Sequence, residues 1–266
     1  MSKVWFVTGS SRGFGRRFVE AALSRGDRVA ATARAVESLA PLAAEYENAL
    51  LPMELDVTDR AAVRAAVARA HGVFGRLDIV VNNAGYGLFG AVEELSEQQI
   101  RDQFETNFFG ALWVTQAVLP LLREQRGGHI IQMSSIAGVI ALPNLGGYHA
   151  SKWALEGLSD ALAQEVAGQH IHVTLVEPGG FATDWSGASA VHADPLPIYD
   201  PVRSRSVSSP GDPSAASAAL LRIVDAENPP LRVFFGSTPG KVVPHVYSAR
   251  LQTWQEWADV AELAQG

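Results

Sequence analysis

Tyr148 and Lys152 stand four residues apart, so on a helix they share one face and can reach one ligand. A free tyrosine has a pKa near ~10, too high for efficient proton exchange at neutral pH. A nearby ammonium stabilises the phenolate and lowers that value, which makes the pair suited to general acid–base chemistry on an oxygen. Lysine occurs only at positions 3, 152 and 241, so its place beside a tyrosine is not a product of abundance. Ser135 follows an apolar run that reads as a strand, and Asn107 lies in Glu105-Thr106-Asn107 of a long helical pattern. Each residue taken singly has a plainer reading: a core tyrosine, a turn serine, a polar residue in mid-helix.

A second group of residues suits a phosphate. Val4-Trp5-Phe6-Val7 is a continuous apolar run, as expected of a strand buried on both faces. Gly9, Gly13 and Gly15 follow, and a helical pattern then begins at Phe18, Val19, Ala22 and Leu23. Without Cβ atoms the turn, which also holds Ser11 and Phe14, lets a pyrophosphate approach the backbone, and the helix offers it free N–H groups and a positive dipole end. Where NAD enzymes of this fold place an acid for the ribose 2′-OH, the second strand ends Ala31-Thr32-Ala33-Arg34, with no carboxylate. Arg34, with Arg12 inside the glycine turn, suits a 2′-phosphate and hence NADP(H); the plainer reading is two solvated arginines.

The elements that must position these groups alternate regularly. Strands are expected over 4–7, 29–33, 50–55, 77–81, 130–133, 173–176 and 231–235. Helices are expected over 36–46, from a cap at Thr58, from the capping box at Ser96 to about 125, over 148–166 and from Asp212-Pro213 to about 226. Such alternation implies βαβ units: an α/β, Rossmann-type doubly wound parallel sheet of about seven strands. No linker or repeat divides the chain, so one domain over 1–266 is expected. Residues 181–210 lack periodicity and are rich in Ser, Ala, Pro and Asp, which suggests a lid over the substrate.

The spacing Thr8-Gly9-x-x-x-Gly13-x-Gly15 resembles the short-chain dehydrogenase/reductase family in its compact single-domain branch. The resemblance extends over about 4–184 and gathers Asn107, Ser135, Tyr148 and Lys152 in the family's order, with Ser135 thirteen residues before Tyr148. It implies hydride transfer between a nicotinamide and a carbonyl or secondary alcohol. Tyr148 would serve as acid or base, Ser135 would hold the substrate oxygen, Lys152 would hold the nicotinamide ribose, and Asn107 would keep a water that links Lys152 to solvent. It also assigns Asp56, with Val57 beside it, to the adenine, the other reading of Asp56 being a cap near a helix. Asn83, Ala84 and Gly85 of Asn82-Asn83-Ala84-Gly85 would support the adenosine side, and Pro178, Gly179 and Thr183 would lie along the nicotinamide. Glu177 stands where an asparagine is usual. Relatives pair their long helices across a symmetry axis, which implies a homodimer or homotetramer, and Ala150, Ala154, Gly157 and Ala161 would suit such a face.

Composition bounds the rest. The chain has 266 residues, 47% of them hydrophobic and 18% charged, as in a globular protein with a large core. A net charge of −7 argues against nucleic acid and anionic membranes as partners. With no cysteine, disulfides and thiolate metal sites are excluded, and no bound metal is expected. The start Met1-Ser2-Lys3 leads straight into the first strand, so a cytoplasmic location is expected. Tyr86, Leu88, Phe89, Val139, Ile140, Leu142, Phe181, Trp185, Ile198 and Tyr199 are candidate substrate walls, mostly apolar, and favour a hydrophobic ketone or alcohol, as in hydroxysteroid- and retinol-dehydrogenase-like members. Arg203 and Arg205 are the alternative, as a site for an acidic group. A non-catalytic NADP-binding sensor or partner protein, or an enzyme that uses the cofactor transiently, remain the competing classes.

Overall fold

The computed structural model describes every residue except 1, 184, 186, 188 and 204–209. Seven parallel strands form one sheet in the order β3-β2-β1-β4-β6-β7-β9. These are β1 (Val4–Val7), β2 (Arg28–Ala33), β3 (Leu50–Glu54), β4 (Ile79–Asn82), β6 (Gly128–Met133), β7 (Ile171–Pro178) and β9 (Arg232–Phe235). The order runs outward from β1 one way and from β4 the other, which is the doubly wound arrangement expected.

Alternation along each strand sends side chains to two helical layers. Trp5 and Val7 of β1 pack with α1 (Gly13–Ser24), α2 (Ala40–Tyr46) and α8 (Pro213–Val224). Val4 and Phe6 pack on the other side, with α3 (Arg60–Phe74), α5 (Gly110–Glu124) and α6 (Gly146–Val166). All four β1 residues are fully buried, which accounts for the unbroken apolar run in the sequence.

Several elements depart from the sequence reading. The helix expected from 96 does run to Glu124, as α4 (Glu97–Phe104) and α5 joined without a break by a π turn over Glu105–Phe109. Its capping box does form, Ser96 accepting from the Gln99 N–H and Gln99 bonding back. The cap expected at Thr58 is Asp59, whose carboxylate accepts from Ala61 and Ala62. Asp56 instead makes a short turn, accepting from the N–H and hydroxyl of Thr58. The 181–210 segment is less irregular than its composition suggests. It contains β8 (Val191–His192), which pairs in parallel with β5 (Leu88–Phe89), and a short α7 (Asp200–Arg203). After β9, α9 (Ser237–Glu256) and α10 (Ala258–Gln265) complete the chain. Among the described residues no helix is long and apolar enough to cross a membrane, and no cluster of side chains suits a metal ion.

Candidate active site

Because the strands are parallel, their carboxyl ends meet along one edge, where open α/β sheets bind ligands. A cavity of about 1480 Å³ opens there. Every site residue expected from the sequence lines it except Gly15 and Asn107, which stand just behind its wall.

The nucleotide end is shaped by backbone. Gly9 and Gly13 have φ of +66° and +57°, the left-handed region that favours glycine. A Cβ on Gly15 would fall 2.3 Å from the Gly9 carbonyl oxygen and 2.4 Å from Asn83 Nδ2. Gly15 therefore lets α1 pack against the turn and does not itself face the cavity. Asn83 holds the turn in place: its Nδ2 donates to the carbonyls of Thr8 and Gly9 at 2.9 and 3.0 Å. Thr8 Oγ1 in turn accepts from the Asn83 and Ala84 N–H groups, each at 3.0 Å. The start of α1 has no side-chain cap, so its first N–H groups remain for a ligand. Arg12 and Arg34 are on the cavity, and neither forms an ion pair among the described residues. A glycine turn on the cavity, free amides at the start of α1 and two guanidiniums without an ion pair among the described residues fit a phosphorylated dinucleotide. Asp56 uses one carboxylate oxygen in its turn and leaves the other without a bond among the described residues.

The chemical end is built on α6, whose buried face carries Tyr148 and Lys152 one turn apart. Lys152 Nζ lies 5.8 Å from the Tyr148 ring centre and donates to the Met133 carbonyl at 2.7 Å. Ser135, at the end of β6, lies within hydrogen-bonding reach of the phenol and accepts from the Ala137 N–H at 3.1 Å. Burial pushes the Tyr148 phenol up to about 12, opposed by Ser135 and the nearby Trp185 indole. Burial also brings Lys152 down to about 8, with Glu156 holding it up. The lowering of the phenol expected from the ammonium is therefore not the ruling effect: desolvation of both groups outweighs it.

Asn107 sits in the π turn, a device that re-aims side chains at functional sites. Its Oδ1 accepts from the Tyr86 N–H and its Nδ2 donates to the Tyr86 carbonyl, both at 3.0 Å, with Ser151 Oγ at 3.3 Å. It fixes the loop after β4, and a Cβ on Gly85 would lie 3.1 Å from its Oδ1 and 3.8 Å from Lys152 Nζ.

Two residues act here that the sequence reading missed or under-read. The buried His149 ring has Nδ1 2.7 Å from the Ala137 carbonyl, while its Nε2 accepts from the Leu142 N–H at 2.9 Å. One imidazole thus ties both ends of the loop that follows Ser135, and burial lowers its pKa. A histidine after a helical tyrosine carries no sequence signal for that task. Trp185, expected as a wall, packs directly on Tyr148 with ring centres 4.9 Å apart and on Phe89 at 5.2 Å. Its indole nitrogen is buried near the phenol without a well-formed hydrogen bond among the described residues. A Cβ on Gly87 would strike the indole at 2.8 Å, which explains the glycine there.

Of the other expected walls, Tyr86, Ile140, Leu142 and Phe181 line the cavity. Leu88 and Val139 are core. Ile198 is 78% exposed, and Tyr199 donates its hydroxyl to Glu93 outside the cavity. Arg203 does line it, but pairs with Glu94 and Asp200, so its charge is compensated. Arg205 lies outside the described residues. His192, stacked on Phe89 at 5.0 Å, joins the lining.

Residues 3–192 match the short chain dehydrogenase family. The chain belongs to that family. This dehydrogenase is 42% identical to oxidoreductase BOA17 of Botryotinia fuckeliana, over 96% of this chain and 98% of that one. A solved short-chain dehydrogenase from Streptomyces avermitilis superposes with a TM-score of 0.92 at 38% identity, covering 98% of both chains. A second, from Burkholderia cenocepacia and in complex with NADP, gives 0.78 at 27% identity, over 96% of this chain and 97% of that one. The protein is accordingly an oxidoreductase of the short-chain dehydrogenase type.

Proposed function

We propose that this dehydrogenase uses NADP(H) to interconvert a carbonyl and a secondary alcohol on a mainly apolar substrate, within a single domain over 1–266. The observation that carries the reading is one cavity with the glycine turn, Arg12 and Arg34 at one end and the buried Tyr148–Lys152 pair at the other. The NADP bound by the Burkholderia relative agrees with the two arginines.

The bound nicotinamide supplies the hydride donor or acceptor. Ser135 and Tyr148 hold the substrate oxygen. As the carbonyl carbon gains hydride and its C=O π bond breaks, Tyr148 gives its proton to the oxygen, and Lys152 steadies the resulting phenolate. Burial keeps the Tyr148 phenol protonated at neutral pH, the form that can donate to the substrate oxygen. Lys152 would also hold the nicotinamide ribose. Asn107 would keep a water on the path by which solvent restores the proton. Asp56 and Val57 would hold the adenine, and Pro178, Gly179 and Thr183 the nicotinamide. An aromatic wall of Phe89, Trp185 and His192 suits a flat or long apolar body over a sugar. A panel of ketones and alcohols with each cofactor, followed at the reduced-nicotinamide absorbance band, tests this. Cofactor binding without turnover across the panel would move the protein to the sensor class.

The assembly we propose is a closed homodimer or homotetramer. Ala150, Gly157 and Ala161 are exposed along α6 and do not pack on the sheet, which suits contact with a symmetry mate. A monomeric mass at micromolar concentration would overturn this.

A further inference from the structure

Behind Lys152, away from the cavity's mouth, four charged groups from three elements crowd together. Glu156 stands one turn further along α6, Glu177 is the penultimate residue of β7, and Arg232 opens β9. Arg232 Nε lies 3.2 Å from Glu156 Oε2 and 3.7 Å from Glu177 Oε1, so one guanidinium nitrogen faces two carboxylates. Its other arm reaches Asp160 at 3.0 Å, on the more exposed side. Both glutamates are buried, at 6% and 2% exposure. Glu156 Oε1 and Glu177 Oε1 have no well-formed hydrogen bond among the described residues; the Ser134 hydroxyl lies close enough to pull on Glu156 without reaching good geometry. A Cβ on Gly138 would sit 2.7 Å from that hydroxyl and 3.1 Å from Glu156 Oε1, so glycine there lets the two groups approach.

Three carboxylates, Glu156, Glu177 and Asp160, share Arg232, and Lys152, which acts on Glu156, is the second cation, so the group is one positive charge short. Like charges at this range cannot both ionise without cost, and orphaned oxygens raise that cost further. The cheapest repair is a proton. We propose that Glu156 and Glu177 share a single proton beside Arg232 and together set the charge of Lys152, acting as positioning residues for the acid–base pair. The direction in which each group is pushed agrees. Burial raises Glu156 against the pull of Ser134, Arg232 and Lys152. Burial and then Glu156 bring Glu177 to about 7, while Lys152, brought to about 8 by burial, is held up by Glu156. Below about 7 Glu177 is neutral; above it the second carboxylate ionises and helps keep the ammonium charged. Glu177 also precedes Pro178 and Gly179, so the same proton sits next to the segment assigned to the nicotinamide. The role in turnover rests on the reading of Tyr148 and Lys152 above, but the charge coupling does not.

The chain's three lysines make the coupling directly readable. With lysine labelled with carbon-13 at Cε, the full-length protein gives three side-chain signals whose titration NMR can follow without cofactor or substrate. The expected result is a Lys152 signal with a midpoint below the ordinary lysine value and a second inflection near the Glu177 value. Glu156→Gln lowers the Lys152 midpoint by about one unit, a tenfold change in its acid constant. Glu177→Gln removes the second inflection. If Glu156→Gln does not fold, Glu177→Gln and the wild-type curve carry the test. Folded variants whose Lys152 curve matches the wild type reduce the cluster to a structural clamp between α6, β7 and β9. A shift in Glu156→Gln with the inflection kept in Glu177→Gln overturns the shared proton. Neither result depends on whether the enzyme turns over any tested ketone.

Discussion

The two ends of the cavity are made by different means. At the nucleotide end, backbone does the shaping: two left-handed glycines, a third that a Cβ would drive into the Gly9 carbonyl, and an Asn83 amide fastened to carbonyls of the turn. At the substrate end, side chains from segments far apart in sequence make the wall, Phe89 from β5 against Trp185 and His192. Those segments meet through a two-residue parallel pairing of β5 with β8 and through Glu94, which is buried and accepts from the Leu196 N–H and pairs with Arg203. Backbone geometry fixes the site for a constant ligand, whereas side-chain packing leaves the variable ligand to be set by a few substitutions.

The largest expected effect lies where the two ends meet. Tyr148→Phe removes the proton donor and keeps the ring that packs on Trp185, so turnover should fall ~100- to 10,000-fold while NADPH binding survives. A loss below about tenfold in single-turnover rate would remove Tyr148 from the acid–base role. The next effect belongs to the nucleotide end. Gly15→Ala places a methyl 2.3 Å from the Gly9 oxygen, with backbone on one side and a committed amide on the other. Relief requires the turn to move, at about 1–3 kcal/mol, which should appear as lower NADPH affinity by titration calorimetry and a lower Tm. Gly13→Ala is the contrast: its Cβ would meet nothing within 4 Å, so only its φ of +57° opposes the change, and the loss should be smaller.

These variants also show what was legible in the sequence. The glycine turn, the Tyr148–Lys152 spacing and the strand ends could be read because each function sits on contiguous residues with a fixed backbone period. Asn107 was found, but not that a π turn carries it, because local residue types do not distinguish a π turn from an α turn. His149 and the tie from Glu94 to Arg203 were invisible, since their partners lie elsewhere in the chain and nothing in local pattern pairs residue 94 with 203. Ile198 and Tyr199 were misassigned for the same reason: apolar type alone does not say which way a loop residue faces. Glu177 was noted only as a departure from the usual asparagine, and its weight emerged once β9 brought Arg232 beside it.

Cofactor choice tests a single charge within the nucleotide end. Arg34→Asp removes a guanidinium that has no ion pair among the described residues and adds repulsion toward a 2′-phosphate. The ratio of kcat/KM with NADPH to that with NADH should drop by about tenfold or more, as expected for the loss of a charge-assisted hydrogen bond. A wild-type enzyme that uses NADH better at equal concentration would overturn the assignment of both arginines.

The smallest expected effect is at the substrate end, in the proposed lid. Glu94 anchors it twice: it accepts from the Leu196 N–H and pairs with Arg203, while the neighbouring Glu93 accepts from Tyr199. Glu94→Gln keeps the shape but sets an NH2 against one of the two backbone N–H groups its oxygens accept from, and it removes the charge that Arg203 faces. Arg203 retains Asp200 at 2.6 Å, so the segment over 191–203 should loosen and not detach. The expected outcome is faster limited proteolysis within 191–203, a KM raised a few-fold with kcat nearly unchanged, and cleavage slowed again by NADPH with a substrate analogue. Tryptophan fluorescence reports the same change through Trp185, with Trp185→Phe as the control because the chain holds six tryptophans. Cleavage that matches the wild type, with and without ligands, would mean that the β5–β8 pairing and the Trp185–Phe89 contact hold this cover by themselves, and that the wall is as fixed as the glycine turn.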